Sequence, residues 1–194
     1  AASSFGGMVY YTSPDRSSLL EQLQSDSMKA ICDADWKDLT IERLPEIPNF
    51  TLLVGWTGQV AITDSLIQAT EKKRKVETDS AFYKEFLSKS HTIVQGLQSA
   101  WNQQDIPALQ EGIRLNRALL NEFAQEMQLE IETPALQTLC DLAEQNGACA
   151  KTSGAGGGDC GICFTQNETQ RKQIETQWAK AQIQVLPLSI AEAW

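Results

Sequence analysis

Two stretches in the middle of the chain repeat apolar residues at intervals of three and four positions. This spacing places each set on one face of a helix, so it predicts two long amphipathic α-helices. Asp105 can cap the second helix with Pro107 in its first turn, and Thr133-Pro134 begins a third helix that ends near Asn146-Gly147. The two apolar sets are Phe82, Phe86, Ile93, Leu97 and Trp101, and Ile106, Leu109, Ile113, Leu120, Phe123 and Met127.

Shorter apolar runs on either side of these helices have the composition of β-strands, and glycine, proline or polar residues bound them. Pro45 and Pro48 separate the first two runs from the rest of the chain, so we place a domain boundary there. The order of helices and strands predicts an α+β fold in which helices pack on a sheet. The predicted strands are residues 7–11, 39–44, 50–54, 148–150, 160–165 and 183–186, and further helices are predicted at 17–24 and 168–181.

The composition narrows the classes of molecule that this protein is expected to bind. The 194 residues carry a formal net charge of −9, which disfavours nucleic acid and anionic membrane surfaces because both are polyanions. No apolar stretch approaches the roughly 20 residues of a transmembrane helix, and residues 1–7 do not have the pattern of a secretory signal. Five scattered cysteines are typical of reduced thiols, so we expect a cytoplasmic location.

The most informative stretch is residues 151–161, which read Lys-Thr-Ser-Gly-Ala-Gly-Gly-Gly-Asp-Cys-Gly. Glycine allows successive backbone N–H groups to turn toward one ligand, an arrangement that suits phosphate. Lys151 and Ser153 can add a cation and a hydroxyl donor, and Asp159 can hold the loop's own amides or orient a neighbour. A tight connection between two strands explains the same composition equally well, because the glycine orders of the Walker and dinucleotide motifs are absent.

This string, read together with Ile162, resembles the third conserved motif of the GHMP small-molecule kinases. Its triple glycine followed by Asp-Cys-Gly is similar to the version in bacterial phosphomevalonate kinases, and residues 53–58, Leu-Val-Gly-Trp-Thr-Gly, resemble the strand and turn that open their carboxy-terminal domain. The resemblance implies a GHMP carboxy-terminal domain over residues 47–194, with a small antiparallel sheet covered by several long helices. Residues 1–46 would then be a remnant of the amino-terminal domain.

The resemblance also implies an activity. Phosphomevalonate kinases transfer the γ-phosphoryl group of ATP to 5-phosphomevalonate, giving 5-diphosphomevalonate for isoprenoid synthesis, with ATP and Mg²⁺ as cofactors. The family's Pro-x-x-x-Gly-Leu-Gly-Ser-Ser loop, which binds ATP and supplies a magnesium ligand, does not occur in this sequence, and the family's catalytic Asp is expected just upstream of Ala1. We therefore expect a carboxy-terminal segment without a catalytic or metal-binding residue, inactive unless joined to the amino-terminal half of the enzyme.

The expected contribution of this segment is to bind the acceptor phosphate. The resemblance implies that backbone and hydroxyl donors of the loop hold this phosphate against the incoming γ-phosphoryl group. Trp56 and Thr57 either line the substrate cleft or, with equal weight, Trp56 packs beneath the loop and Thr57 caps the next turn. Lys151 and Asp159 complete the predicted site. The loop donors are Ser153, Gly154, Ala155, Gly156 and Gly157.

Two other readings of the whole chain stay open. One is a different GHMP small-molecule kinase, such as a mevalonate kinase, and the other is a non-catalytic module that binds a phosphate ligand or a protein partner.

Three other features are interpreted as structural rather than chemical. Cys160 and Cys163 have a Cys-x-x-Cys spacing, but no second pair of ligands accompanies them and a strand would point them to opposite faces. His91 lies in the middle of a predicted helix, where we expect a surface or partly buried position. The basic run of residues 72–75 is interpreted as a solvated helix face, with the alternative that one of its side chains reaches an anionic substrate at the domain cleft.

Overall fold

Six helices in the described part of the chain each begin after a residue whose side chain accepts a hydrogen bond from an N–H group of the first turn, and such capping fixes where a helix starts. The computed structural model describes residues 5–58, 80–154 and 156–191. The caps are Asp15, Ser27, Ser80, Asp105, Thr133 and Asn167. Within these ranges the helices are α1 (Arg16–Ser25), α2 (Met28–Asp33), α3 (Ala81–Asn102), α4 (Ile106–Glu126), α5 (Pro134–Gln145) and α6 (Glu168–Lys180).

The strands form two antiparallel sheets. β1 pairs with β2 in a two-stranded sheet, and the other four strands form a sheet in the order β4-β5-β3-β6. In the described part of the chain the strands are β1 (Val9–Thr12), β2 (Thr40–Arg43), β3 (Thr51–Trp56), β4 (Cys149–Thr152), β5 (Cys160–Thr165) and β6 (Gln184–Leu186).

The described residues divide into two compact units, 5–46 with 190–191 and 47–189. The smaller unit contains β1, β2, α1 and α2. In it, Ile31 is buried, and its carbonyl oxygen accepts a hydrogen bond of 2.7 Å from the indole N–H of Trp36.

The larger unit has its core between the four-stranded sheet and two helices. Leu53 and Cys163 face α5 and α6, where Leu139 and Trp178 are fully buried. Gly55 and Gly161 are opposite each other on β3 and β5, and a Cβ atom at either position would lie within 2.8 Å of a Leu139 methyl group. This glycine pair therefore lets α5 approach the sheet closely, because side chains there would overfill the core.

An aromatic cluster covers the opposite face of the sheet. Phe164 follows Cys163 on β5, so its side chain points to the other face. There its ring stacks on Phe50 at a centroid distance of 4.9 Å and meets Trp101, near the end of α3, edge-on at 5.9 Å. This contact packs α3 on the sheet. Helices α3 and α4 pack on each other through the stacked rings of Phe86 and Phe123, whose centroids are 4.3 Å apart.

Most of the elements predicted from periodicity are present. The α+β class, the two long amphipathic helices and the caps at Asp105 and Thr133 are confirmed. The short helix α2 was not predicted, and the basic run of residues 72–75 lies outside the described residues. His91 is exposed on α3. Throughout the described ranges, each helix is too short or too polar to traverse a lipid bilayer.

Because three cysteine thiols are buried, we expect the chain to lose stability at alkaline pH. Burial raises the pKa of Cys140 to about 12 and that of Cys149 to about 11, and it also raises the pKa of Cys163. The unfolded chain releases these protons above about pH 9, whereas the folded chain retains them, so the stabilisation present below pH 9 is lost as the pH rises toward 11–12.

We expect Cys140 alone to lower the free energy of unfolding by about 2 kcal/mol between pH 8 and pH 10.5. Urea unfolding at the two pH values, with a reductant present, measures this loss. The Cys140→Ala variant should lose correspondingly less between the same pH values. An equal loss in both proteins would contradict the role of this thiol.

Candidate functional site

The glycine-rich segment forms the connection between β4 and β5. The backbone N–H of Ser153 donates to the carbonyl oxygen of Cys160 at 3.0 Å and closes the base of this hairpin. The backbone has φ of 64° at Gly154 and then four consecutive positive φ values, 76°, 80°, 123° and 59°, over residues 156–159. Glycine adopts such values without steric cost, which explains why this composition is required here.

The middle of the loop is fixed against the segment that joins α4 to α5. The N–H of Gly157 donates to the carbonyl oxygen of Ile131 at 2.8 Å. Gly156 packs so closely on the same residue that an added Cβ would overlap the Ile131 carbonyl oxygen and lie 2.7 Å from its Cγ2. Gly156 must therefore remain glycine for two reasons, its positive φ and its lack of a side chain.

The end of the loop is fixed to the turn after β3. Both the backbone N–H and the hydroxyl of Thr57 donate to the carbonyl oxygen of Asp159, at 2.9 and 3.0 Å. Trp56 is half-buried and lies opposite Cys160 in the sheet. The structure thus brings Trp56, Thr57 and Asp159 together, and the hydroxyl of Thr57 holds the loop rather than capping a turn of its own.

Several donors of the loop remain open to a ligand. Among the described residues, the backbone N–H groups of Gly154, Gly156 and Gly158 have no hydrogen-bond acceptor, and the same is true of the Ser153 hydroxyl. Successive backbone N–H groups of a turn can form a concave site for an anion. The arrangement can bind a phosphate through the backbone alone. Ala155, which the sequence analysis includes among the donors, lies outside the described residues.

Lys151 lies in strand β4, two residues before Ser153. Its Nζ donates to the carbonyl oxygen of Thr152 at 2.8 Å, and burial lowers the pKa of its ammonium group. Cys160 lies at the other end of the loop, where its thiol donates to the carboxylate of Asp159 at 3.6 Å. Burial and the Asp159 charge both raise the pKa of the Cys160 thiol, so it stays protonated near neutral pH.

A metal site is not formed by the described side chains. Within residues 5–58, 80–154 and 156–191, no three His, Cys, Asp or Glu side chains gather closely enough to hold a metal ion. Cys160 is partly exposed whereas Cys163 is fully buried, as expected for two strand positions of opposite direction.

Comparison with known proteins shows which proteins this chain resembles. A family profile described as "GHMP kinases C terminal" matches residues 96–184, which include the whole β4–β5 loop. Over 193 residues, 98% of this chain, the sequence is 36% identical to the phosphomevalonate kinase of Streptomyces sp. (strain CL190). Residues 96–184 thus match the carboxy-terminal domain of the GHMP kinases. The chain spans about half the length of the curated relative that it matches, 51%.

Solved structures show the same similarity in three dimensions. A Listeria innocua protein has a TM-score of 0.91 at 32% identity, and the match covers 98% of this chain and 53% of the Listeria chain. Streptococcus pneumoniae phosphomevalonate kinase, in complex with phosphomevalonate and AMPPNP, has a TM-score of 0.79 at 28% identity over 93% of this chain and 51% of its own. The mevalonate kinase of L. major, at 18% identity and a TM-score of 0.68, shares the fold.

One element of the site was missed by the sequence analysis. Ile131 lies in a seven-residue connection, 127–133, and its backbone carbonyl rather than its side chain holds the loop. A backbone acceptor leaves no trace in residue type, so only the tertiary structure reveals it. The flanking signal, Thr133-Pro134 at the start of α5, located the end of this connection but not its contact.

Proposed function

We propose that this chain supplies the acceptor-phosphate loop of a phosphomevalonate kinase. In this reaction the γ-phosphoryl group of ATP passes to the phosphate of 5-phosphomevalonate, giving 5-diphosphomevalonate. The observation that carries the proposal is that, within the described part of the chain, the N–H groups of Gly154, Gly156 and Gly158 in the β4–β5 loop have no acceptor, which suits a phosphate ligand. The similarity to two proteins named phosphomevalonate kinase supports the choice of acceptor.

The chemistry requires such a loop because two anionic phosphates must meet. The acceptor phosphate attacks the γ-phosphorus, so negative charge concentrates between donor and acceptor. Fixed N–H dipoles stabilise this charge at little reorganisation cost, because the protein has already oriented them. Gly154, Gly156 and Gly158 would provide the N–H groups and Ser153 a hydroxyl, while Gly157 would anchor the loop through Ile131.

The remaining proposed site residues surround this loop. Lys151 would contribute a cation at one end, provided that its Nζ turns from the Thr152 carbonyl toward the substrate. Asp159 and Thr57 would keep the other end in place, and Trp56 would form part of the adjacent wall. Ala155 would add one more backbone donor.

ATP and Mg²⁺ are assigned to another part of the enzyme. When bound, the metal ion neutralises phosphate charge during transfer. The described residues hold no cluster of metal ligands, and the sequence holds no ATP loop of the family's type. We therefore propose that the amino-terminal half of the same enzyme provides the nucleotide site, the metal ligand and the catalytic Asp, and that this chain alone does not turn over.

The decisive experiment measures ADP release with ATP, Mg²⁺ and 5-phosphomevalonate. It compares the 194-residue chain alone with the chain joined to its natural upstream sequence, and mevalonate serves as the control acceptor. We expect turnover only in the joined protein and only with 5-phosphomevalonate.

Each other outcome has a distinct meaning. Turnover with mevalonate in place of 5-phosphomevalonate would assign the chain to another GHMP kinase. Turnover by the 194-residue chain alone would contradict the proposal that the amino-terminal half provides the nucleotide site, the metal ligand and the catalytic Asp. No turnover in either protein, with both folded, would favour a phosphate-binding module without catalysis.

A further inference from the structure

The connection between α4 and α5 is the support on which the glycine-rich loop rests. Ile131 in this connection is buried, accepts the Gly157 N–H through its carbonyl oxygen and packs on Gly156 through its side chain. The orientation of the loop's open N–H groups therefore depends on where the backbone of residues 131–132 is held. The next residue, Glu132, shows what holds it.

Two side chains of α4 donate hydrogen bonds to the carboxylate of Glu132. Arg117 donates through Nε to Oε2 at 2.9 Å and through Nη2 to Oε1 at 2.6 Å, a bidentate pair. The amide of Asn121 donates to the same carboxylate at 3.2 Å. Only 12% of the Arg117 side chain and 7% of the Glu132 side chain are exposed, so water neither screens nor replaces this pair effectively.

The same guanidinium also reaches α5. Nη2 of Arg117 donates to Asp141 at 2.7 Å, and Nη1 donates to Glu144 at 2.9 Å. Burial alone would lower the pKa of Arg117, but the hydrogen bonds to Glu132 and Asp141 outweigh it and hold the pKa above its ordinary value. One permanently charged group thus joins α4, the 127–133 connection and α5 at a single point.

We propose that Arg117 is a positioning residue for the acceptor-phosphate loop. Through Glu132 it fixes the backbone of residue 131, and through the Ile131 carbonyl it fixes Gly157 and the amides on either side of it. The planar guanidinium is essential to this role, because a lysine ammonium cannot form the same bidentate pair while also reaching two further carboxylates. The inference rests on the proposed function for its effect on substrate, but its structural part can be measured separately.

The test compares Arg117→Lys with Arg114→Lys in the chain joined to its natural upstream sequence. Arg114 is a matched control, because it lies on the same helix and contacts Ala148 and Glu111 rather than the 127–133 connection. Amide hydrogen exchange is measured by mass spectrometry on peptides covering residues 127–133, 153–160 and β3, and the Michaelis constants for 5-phosphomevalonate and ATP are measured on the same samples.

In Arg117→Lys we expect exchange to accelerate about tenfold in the 127–133 and 153–160 peptides and to stay unchanged in β3, the order expected when one charge-assisted contact is lost. The KM for 5-phosphomevalonate should rise by about the same factor, while the KM for ATP stays within about twofold. Arg114→Lys should resemble the wild type in every measurement. If Arg117→Lys does not fold, Glu132→Gln weakens the same pair from the other side and is measured instead.

Unchanged hydrogen exchange in the loop peptides would overturn the proposal. Exchange that rises equally in β3 would also overturn it, because Arg117 would then support only the global stability of the chain. Local acceleration with an equal rise in both Michaelis constants would also contradict it, because the loop is assigned to the acceptor alone. If the joined wild-type protein does not turn over 5-phosphomevalonate while Arg117→Lys still accelerates exchange locally, that result would support the role of Arg117 in holding the loop and would contradict the proposed function instead.

Discussion

Gly156→Ala is expected to lower the free energy of unfolding by about 3 kcal/mol, whereas Gly147→Ala should lower it by only about 1 kcal/mol. Both glycines have φ of 76°, so both substitutions place an L-residue in the same unfavourable backbone region. They differ in the space around the new methyl group. At residue 147 the nearest atom is the Gln170 amide nitrogen at 3.5 Å, an ordinary contact, whereas at residue 156 the methyl group overlaps Ile131.

Urea unfolding of the two variants and the wild type measures this difference. The comparison isolates the packing of the loop, because the backbone cost is common to both variants and cancels between them. In the protein joined to its upstream sequence, Gly156→Ala should also reduce kcat/KM for 5-phosphomevalonate by about 100-fold, since it displaces the open amides by a distance comparable to a bond length. Equal losses of stability would mean that the loop leaves Ile131 without cost, which would contradict the geometry described above.

Periodicity predicted the helices of this chain because burial enforces it. Trp101 and Phe123 lie on the apolar faces that the three- and four-residue spacing identified, and both are buried. The glycine-rich segment was recognisable for a similar reason, since a run of positive φ values strongly favours glycine. The helices and the glycine-rich loop could therefore be predicted, because each depends directly on a pattern of residue types.

The contacts that fix the site are of a different kind. The Ile131 and Asp159 carbonyl groups hold the loop at its middle and its end, and every residue has such a group, so sequence offers no means of choosing them. Arg117 is a partial exception. It continues the four-residue series of Leu109 and Ile113 on the buried face of α4, and a charged residue in an apolar series indicates a buried pair.

The last helix shows where periodicity is weakest. α6 buries only Ile174 and Trp178, four residues apart, and the rest of its surface is polar. Such a helix gives little amphipathic signal, yet its tryptophan is fully buried in the core of the larger unit. Its position there predicts the largest loss of stability that we expect from any single truncation in the chain.

Trp178→Ala should lower the free energy of unfolding by about 4 kcal/mol, because it removes a large buried ring and leaves a cavity between α6 and the sheet. Trp178→Phe keeps most of the volume but loses the indole N–H bond to the Leu139 carbonyl, 2.9 Å long, and should cost about 1–2 kcal/mol. Leu115→Ala, at a position that is 47% exposed, is the control and should change stability by less than about 0.5 kcal/mol.

Equilibrium urea unfolding of the three variants at one pH tests this order, and a loss below about 2 kcal/mol for Trp178→Ala would contradict the packing described. The effect should also reach the loop. Trp178 lies directly beneath Gly55, next to the end of β3, and β3 leads into Thr57, which holds Asp159. Truncating the ring removes the surface against which β3 is pressed, so hydrogen exchange at residues 153–160 should accelerate in Trp178→Ala more than in Trp178→Phe, and the core and the candidate site would then be linked through one strand.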